Sequence, residues 1–289
     1  MATNERILIT GASGQLGKLV LRELLANGKT NLIATTRTPE DLGEFAAQGV
    51  EVRKADFKTP ETLTEAFRGA TTLLLISTID LGSRLEQHGA AVQAAKAAGV
   101  QHVVYTSWPN PAHSVATVAP EHAGTEDLIV KSGLKYTFLA NYPYAEMLMY
   151  SLPKAIETGT LYGAAGDGKT AYVTRQDCAY AAAGVLSNPS EHENKTYLIT
   201  GPKAYSRSEL AALVSEITGK TVSYVELAPE DFKKGLIQAG LPEGYAQVFV
   251  SFELAVKANE VAQTTRVVEQ VSGHLQQELP AFLKTALNA

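Results

Sequence analysis

The segment Gly11-Ala12-Ser13-Gly14-Gln15-Leu16-Gly17 limits the possible folds more than any other feature of this 289-residue chain. It follows a β-rich run, Arg6-Ile7-Leu8-Ile9-Thr10. It opens a helical pattern from about residue 15 to 26, apolar at Leu16, Leu19, Val20 and Leu24 and closed by Asn27-Gly28. A glycine-rich turn between a strand and a helix is a place where backbone N–H groups face an anion. Tight turning, close approach of backbone to a pyrophosphate and close helix–strand packing each need a residue without Cβ. Gly11, Ser13, Gly14, Gln15, Leu16 and Gly17 are therefore expected to cradle the pyrophosphate of a dinucleotide.

The rest of the first half repeats the same rhythm. Strands are expected at residues 31–36, 50–53, 72–77, 102–106 and 136–139, with helices near 62–67, 84–98 and 121–132. Such alternation predicts an α/β fold, a Rossmann-type doubly wound parallel sheet with ligands at the carboxyl ends of its strands. After about residue 141 the pattern loosens. Residues 142–158 read as an aromatic- and Met-rich loop and helix, 159–174 as a Gly-rich loop, and 196–200 as a strand. Helices follow residue 206, with one strand at 222–225 and an amphipathic helix near 275–287. The expected division is a dinucleotide-binding domain over 1–140, to which about 157–200 return. Residues 141–156 and 201–289 form a smaller α/β C-terminal substrate lobe.

The second strand ends Thr35-Thr36-Arg37. An NAD-selective site usually places a carboxylate here for the ribose 2′-hydroxyl, whereas the donors of Arg37 suit a 2′-phosphate. NADP(H) is thus the preferred dinucleotide, with NAD(H) possible; a solvated surface arginine is the plainer alternative. Asp56, beside Phe57 after the third strand, can accept from the adenine amino group or simply make a turn. Ser77, Thr78 and Thr106 end the fourth and fifth strands and are expected along the cofactor.

A net charge of −5 argues against nucleic acid or an anionic membrane as partner. The one cysteine, Cys178, allows no intrachain disulfide and lies in an Ala-rich helical stretch where a buried, inert thiol is expected. The N-terminus shows no signal-peptide pattern and no apolar run reaches the ~20 residues that span a bilayer. A cytoplasmic protein is the expectation. The six histidines are scattered without ligand spacing, so no metal site is expected.

Beyond the glycine loop, the chain carries Leu73-Leu74-Leu75-Ile76-Ser77, Ala94-Ala95-Lys96-Ala97-Ala98-Gly99-Val100, Tyr105-Thr106-Ser107, Glu121-His122 with Thr125-Glu126, and Gly163-Ala164-Ala165-Gly166-Asp167-Gly168-Lys169. Together these resemble the NAD(P)H:quinone oxidoreductase type 2 group, NmrA-like atypical short-chain dehydrogenases close to the triphenylmethane reductases. The resemblance implies a monomer or homodimer that binds a small-molecule acceptor between two lobes. The chain departs from that group at Ala140-Asn141, where Arg-Asn is common.

Standard short-chain dehydrogenases carry Tyr-x-x-x-Lys on the helix after the fifth strand. Here that position reads His122-Ala123-Gly124-Thr125-Glu126, and Tyr150 to Lys154 lies past the sixth strand. Reducing a ketone makes an alkoxide that needs a strong, placed acid. A quinone gives a phenolate-like anion whose conjugate acid resembles tyrosine, pKa about 10, and a carbocationic dye needs no proton. Missing Tyr and Lys thus point to NADPH-dependent hydride transfer to conjugated, electron-poor acceptors. They fit equally a non-catalytic NADP(H) sensor, or a ketone or C=C reductase with another acid.

Candidate catalytic residues are His122, as proton donor or as a hydrogen-bonded neighbour of the ribose, Ser107, as contact to acceptor or nicotinamide or as turn cap, and Asn141. Glu126 is expected to orient His122 or to be solvated. Trp108, Tyr142, Tyr144 and Met147, with Tyr150, are the candidate wall for a flat acceptor, or the core of the second lobe.

Overall fold

A computed structural model of the chain describes residues 5–288. Its centre is a seven-stranded sheet built from β1 (Ile7–Ile9), β2 (Leu32–Thr36), β3 (Glu51–Lys54), β4 (Thr72–Leu75), β5 (His102–Ser107), β6 (Lys135–Asn141) and β9 (Lys195–Ile199). The strand order is β3-β2-β1-β4-β5-β6-β9, and every pairing is parallel. The chain winds outward in one direction from β1 and in the other from β4. That reversal leaves a crevice at the carboxyl ends of β1 and β4.

Strand periodicity sorts the core into two layers. Ile7 and Ile9 pack with helices Gln15–Ala26 and Arg175–Ser187 on one face of the sheet. Leu8, Leu73, Leu75 and Tyr105 face Ala91, Val92 and Ile129 on the other. The Ala-rich stretch around Cys178 is buried against the sheet, and burial pushes the thiol pKa well up, leaving it protonated and unreactive.

Residues 159–174 are not the plain loop expected. They contain β7 (Thr160–Gly163) and β8 (Lys169–Thr170). β8 pairs antiparallel with β10 (Tyr205–Ser206), and β7 pairs in parallel with β11 (Ser223–Glu226). Of residues 157–200, therefore, β9 and helix Arg175–Ser187 join the large sheet, while β7 and β8 pair with strands of the C-terminal lobe. Gly168 lies where a Cβ would stand 2.0 Å from the Val256 carbonyl oxygen, so this glycine lets loop and helix touch. The last helix spans Leu279–Ala286 rather than 275–287. Pro280 sits in its first turn, and Leu275 is 81% exposed ahead of it. A third apolar cluster, including Leu148, Leu152, Leu210, Val214 and Leu283, forms the core of this lobe.

Candidate functional site

The crevice is one cavity of about 730 Å³ that runs along the carboxyl ends of β1 to β6. Its glycine-loop end is built by local necessity. Gly11 has φ +58°, a left-handed backbone that favours glycine. A Cβ at Gly17 would lie 2.5 Å from the Gly11 carbonyl oxygen and 2.7 Å from the Ala12 Cα. Ser13 Oγ meets Thr36 Oγ1 at 2.7 Å, tying the loop to the end of β2. Helix Gln15–Ala26 begins at Gly14, with no side chain capping it and no acidic residue in its first turn. Its leading N–H groups are left for an anion from outside the chain.

Threonines fix the neighbouring strand ends. Thr10 Oγ1 accepts from the Ile76 backbone N–H (3.1 Å), and Thr106 Oγ1 accepts from that of Ser77 (2.8 Å). β4 stops at Leu75, so Ser77 and Thr78 lie on the loop after it. That loop is held from below: Arg84 Nε donates to the Thr78 carbonyl (2.8 Å) while its Nη1 pairs with Glu121 at 3.2 Å. The Thr78 N–H donates to His88 Nε2 (3.2 Å), and Thr125 Oγ1 donates to the Glu121 carbonyl. His88 must then donate from Nδ1 to Thr125 Oγ1, a contact of 3.0 Å.

Every site residue expected from the sequence lines this cavity: Gly11, Ser13, Gly14, Gln15, Leu16, Gly17, Arg37, Asp56, Phe57, Ser77, Thr78 and Thr106 toward the loop end, Ser107, His122 and Asn141 beyond β5 and β6, and Trp108, Tyr142, Tyr144 and Met147 in the wall. Sequence reasoning missed Lys58, Asp80, Arg84, Arg175 and Phe252, which line it too. Lys58 pairs with Asp80 at 3.0 Å, joining the loops after β3 and β4. Phe252 stacks on Trp108 with ring centroids 5.1 Å apart, and the Arg175 guanidinium lies 4.7 Å over the Tyr144 ring. Neither carries a local signal, because both come from elements far along the chain.

One expected partnership and one expected titration are corrected. Glu126 does not orient His122. His122 Nδ1 instead meets the Tyr105 hydroxyl at 2.8 Å, and Glu126 Oε1 accepts from Ser107 Oγ at 2.5 Å. His122 does not titrate near neutrality either: burial, reinforced by Arg84, pushes its pKa down to about 3, so the ring holds no imidazolium proton to give at pH 7. Burial raises the Tyr105 hydroxyl and the Glu126 carboxyl above their ordinary values. Asn141 Nδ2 donates to the Tyr144 hydroxyl (3.1 Å), while its Oδ1 is buried without a partner among the described residues. An unsatisfied buried acceptor at the cavity wall is a place for a ligand's N–H.

The neutral histidines have a consequence for stability. Burial lowers His88 to about 3, His102 to about 4 and His122 to about 3. The unfolded chain protonates each near 6.5, so between these values and 6.5 the unfolded state binds more protons. Their contribution is complete above about pH 6.5 and is lost as pH falls, at about 1.4 kcal/mol per pH unit for each histidine. The melting temperature is expected to drop steeply between pH 6.5 and 4.5. A flat profile there would show that the three rings titrate as free histidines do.

The match to known proteins covers nearly the whole chain. The NmrA-like family profile aligns with residues 3–285. The chain belongs to the NmrA-like family. It is 39% identical over 269 residues to quinone oxidoreductase 2 of Escherichia coli (strain K12), covering 93% of this chain and 94% of that protein. The structure of the Escherichia coli NADPH-dependent quinone oxidoreductase complexed with NADPH superimposes with a TM-score of 0.94 at 38% identity, covering 98% of this chain and all of that one. Triphenylmethane reductase of Citrobacter sp., complexed with NADP(H), gives a TM-score of 0.90 at 36% identity, with 97% and 99% coverage. No helix among the described residues is long and apolar enough to cross a membrane.

Proposed function

We propose that this chain is an NADPH-dependent reductase that delivers hydride to a quinone or a similar conjugated, electron-poor acceptor. The observation that carries the reading is continuity. One cavity joins an uncapped glycine loop and Arg37 at one end to an aromatic slot of Trp108, Tyr142, Tyr144, Met147 and Phe252 at the other. The relatives named for quinone and triphenylmethane reduction support the same class of acceptor.

The residues present fit a dinucleotide. Gly14 leaves open a cradle in which a Cβ would already stand 3.1 Å from the Gly11 oxygen, and Asn141 Oδ1 waits for a donor. When bound, reduced NADP supplies the hydride. The backbone N–H groups of residues 11–17 would hold the pyrophosphate and Arg37 the 2′-phosphate. Asp56 and Phe57 would flank the adenine, with Ser77, Thr78 and Thr106 along the ribose and nicotinamide. Asn141 would orient the carboxamide. NAD(H) would bind the same cradle without the benefit of Arg37. In this reading residues 1–140, with helix Arg175–Ser187 and β9 returning to them, act as the dinucleotide-binding domain, residues 141–156 and 201–289 as the acceptor lobe, and the protein works as a cytoplasmic monomer or homodimer.

His122, held neutral by burial, would shape the acceptor site as a hydrogen-bonding ring. A quinone leaves an anion whose conjugate acid has a pKa of about 10, so modest proton donors suffice. The experiment is purified protein with NADPH and separate quinone, triphenylmethane dye and ketone acceptors, followed by cofactor absorbance. Oxidation by quinones and dyes but not simple ketones is expected. Tight NADPH binding without turnover of any acceptor would identify a sensor, and preference for ketones would identify a carbonyl reductase.

A further inference from the structure

Resting on the reductase reading, we propose that Ser107 and Glu126 form a proton-delivery pair, in which Ser107 protonates the anionic oxygen of the reduced acceptor and Glu126 restores the serine. Ser107 is the last residue of β5, buried yet lining the cavity, and its Oγ lies 2.5 Å from Glu126 Oε1. Glu126 sits one turn beyond His122 on helix Ala119–Ser132, and among the described residues no lysine or arginine forms an ion pair with it. Arg84, the nearby cation from helix Arg84–Ala97, is committed to Glu121 and the Thr78 carbonyl.

Geometry makes the pair. Residues two apart on a strand are about 6.6 Å apart, and residues four apart on a helix about 6 Å. Tyr105 and Ser107 on β5 therefore match His122 and Glu126 on the helix, contact for contact. In the first contact Tyr105 is fully buried behind His122, which lines the cavity; in the second Ser107 lines it and Glu126 stands behind.

The balance is simple. A quinone takes two electrons and one hydrogen as hydride from the reduced dinucleotide and becomes a hydroquinone anion. With Glu126 protonated, the hydrogen bond between them reverses, the carboxyl donating to Ser107 Oγ and the serine hydroxyl turning to the cavity; the Ser107 O–H bond then breaks as its proton bonds to the anionic oxygen, while the Glu126 carboxyl proton moves to Ser107 Oγ. Water then reprotonates the Glu126 carboxylate. Burial favours the protonated carboxyl needed at the start of each cycle, against the hydrogen bond from Ser107, which favours the carboxylate. Of the neighbouring ionisable groups, Tyr105 on β5 feels the Glu126 charge directly, and Tyr105 is in turn influenced by Arg84 and Glu121.

Two measurements test the pair. In protein without cofactor, carbon-13 NMR of labelled glutamate carboxyls should show Glu126, assigned by its loss in E126Q, titrating above the ordinary glutamate range. S107A should move that midpoint further up. An ordinary midpoint unaffected by S107A overturns the proposal. In the second measurement, NADPH oxidation is compared with a benzoquinone, which needs a proton, and a triphenylmethane carbocation, which does not. The quinone-to-dye ratio of kcat/KM should fall at least about tenfold in E126Q and in S107A. In the wild type, quinone kcat/KM should decline as pH rises through the Glu126 midpoint, and E126Q should lack that limb. Equal losses with both acceptors, or none, would mean a merely structural contact. Failure of the wild type to oxidise NADPH with either acceptor overturns the reductase reading itself, whatever Glu126 does in the titration.

Discussion

Arg37→Glu is expected to weaken NADPH binding about a hundredfold or more while leaving NADH binding within a few fold. Arg37 is exposed, follows β2 and lines the cavity at the end where the adenosine ribose would lie. A charge-assisted hydrogen bond to phosphate contributes about 1.5–3 kcal/mol, and 1.4 kcal/mol is tenfold in affinity. Glutamate adds direct repulsion of the 2′-phosphate to that loss. Fluorescence titration with both dinucleotides reads the result. Unchanged NADPH affinity would return Arg37 to the status of a solvated side chain, and equal losses for both would place it on the adenine rather than the phosphate.

The second large effect is expected at Gly17. Even alanine there puts a Cβ 2.5 Å from the Gly11 oxygen and 2.9 Å from the Ala12 oxygen, contacts with rigid backbone that cannot swing away. Overpacking of this kind costs about 1–3 kcal/mol, while removing a helical glycine returns at most about 1 kcal/mol. Net destabilisation follows, at roughly 2–4 °C in melting temperature per kcal/mol for chains of 150–250 residues. Gly17→Val should be worse, because helix Gln15–Ala26 must shift from the loop and carry its leading N–H groups off target. Loss of NADPH binding by about a hundredfold or more, with a lowered melting temperature, is the expected pair of readouts. Gly43→Ala is the control, since a Cβ there meets nothing within 4 Å. A Gly17→Val protein that binds NADPH normally would remove the glycine loop from the proposed cofactor site.

The parts of the fold that sequence made legible are those where periodicity extends over enough residues. The parallel strands and the helices on both faces fall close to where the apolar rhythm put them, because the inner strands of that sheet pack rows of side chains into the core layers, while the edge strand β3 contributes only Val52. β8 and β10 have two residues each, too few for any alternation to register, and β7 finds its partner some sixty positions away. The site divides in the same way. Residues next to strand ends could be named in advance because topology brings those ends together. Arg175 and Phe252 could not, since their positions depend on how the second lobe folds back. Glu126 and His122 invited a misreading of a different kind: spacing of four on a helix suggests mutual contact, yet each turned toward β5, where Ser107 and Tyr105 offered hydroxyls.

The stack of Phe252 on Trp108 couples two parts of the chain that could otherwise diverge freely. Trp108 follows directly on Ser107 at the end of β5, whereas Phe252 belongs to a helix of the C-terminal lobe. Exchanging residues 201–289 for those of another relative would thus carry across a foreign face against a resident indole. A hybrid made without restoring an aromatic ring at that contact should keep its grip on dinucleotide and lose its discrimination among acceptors.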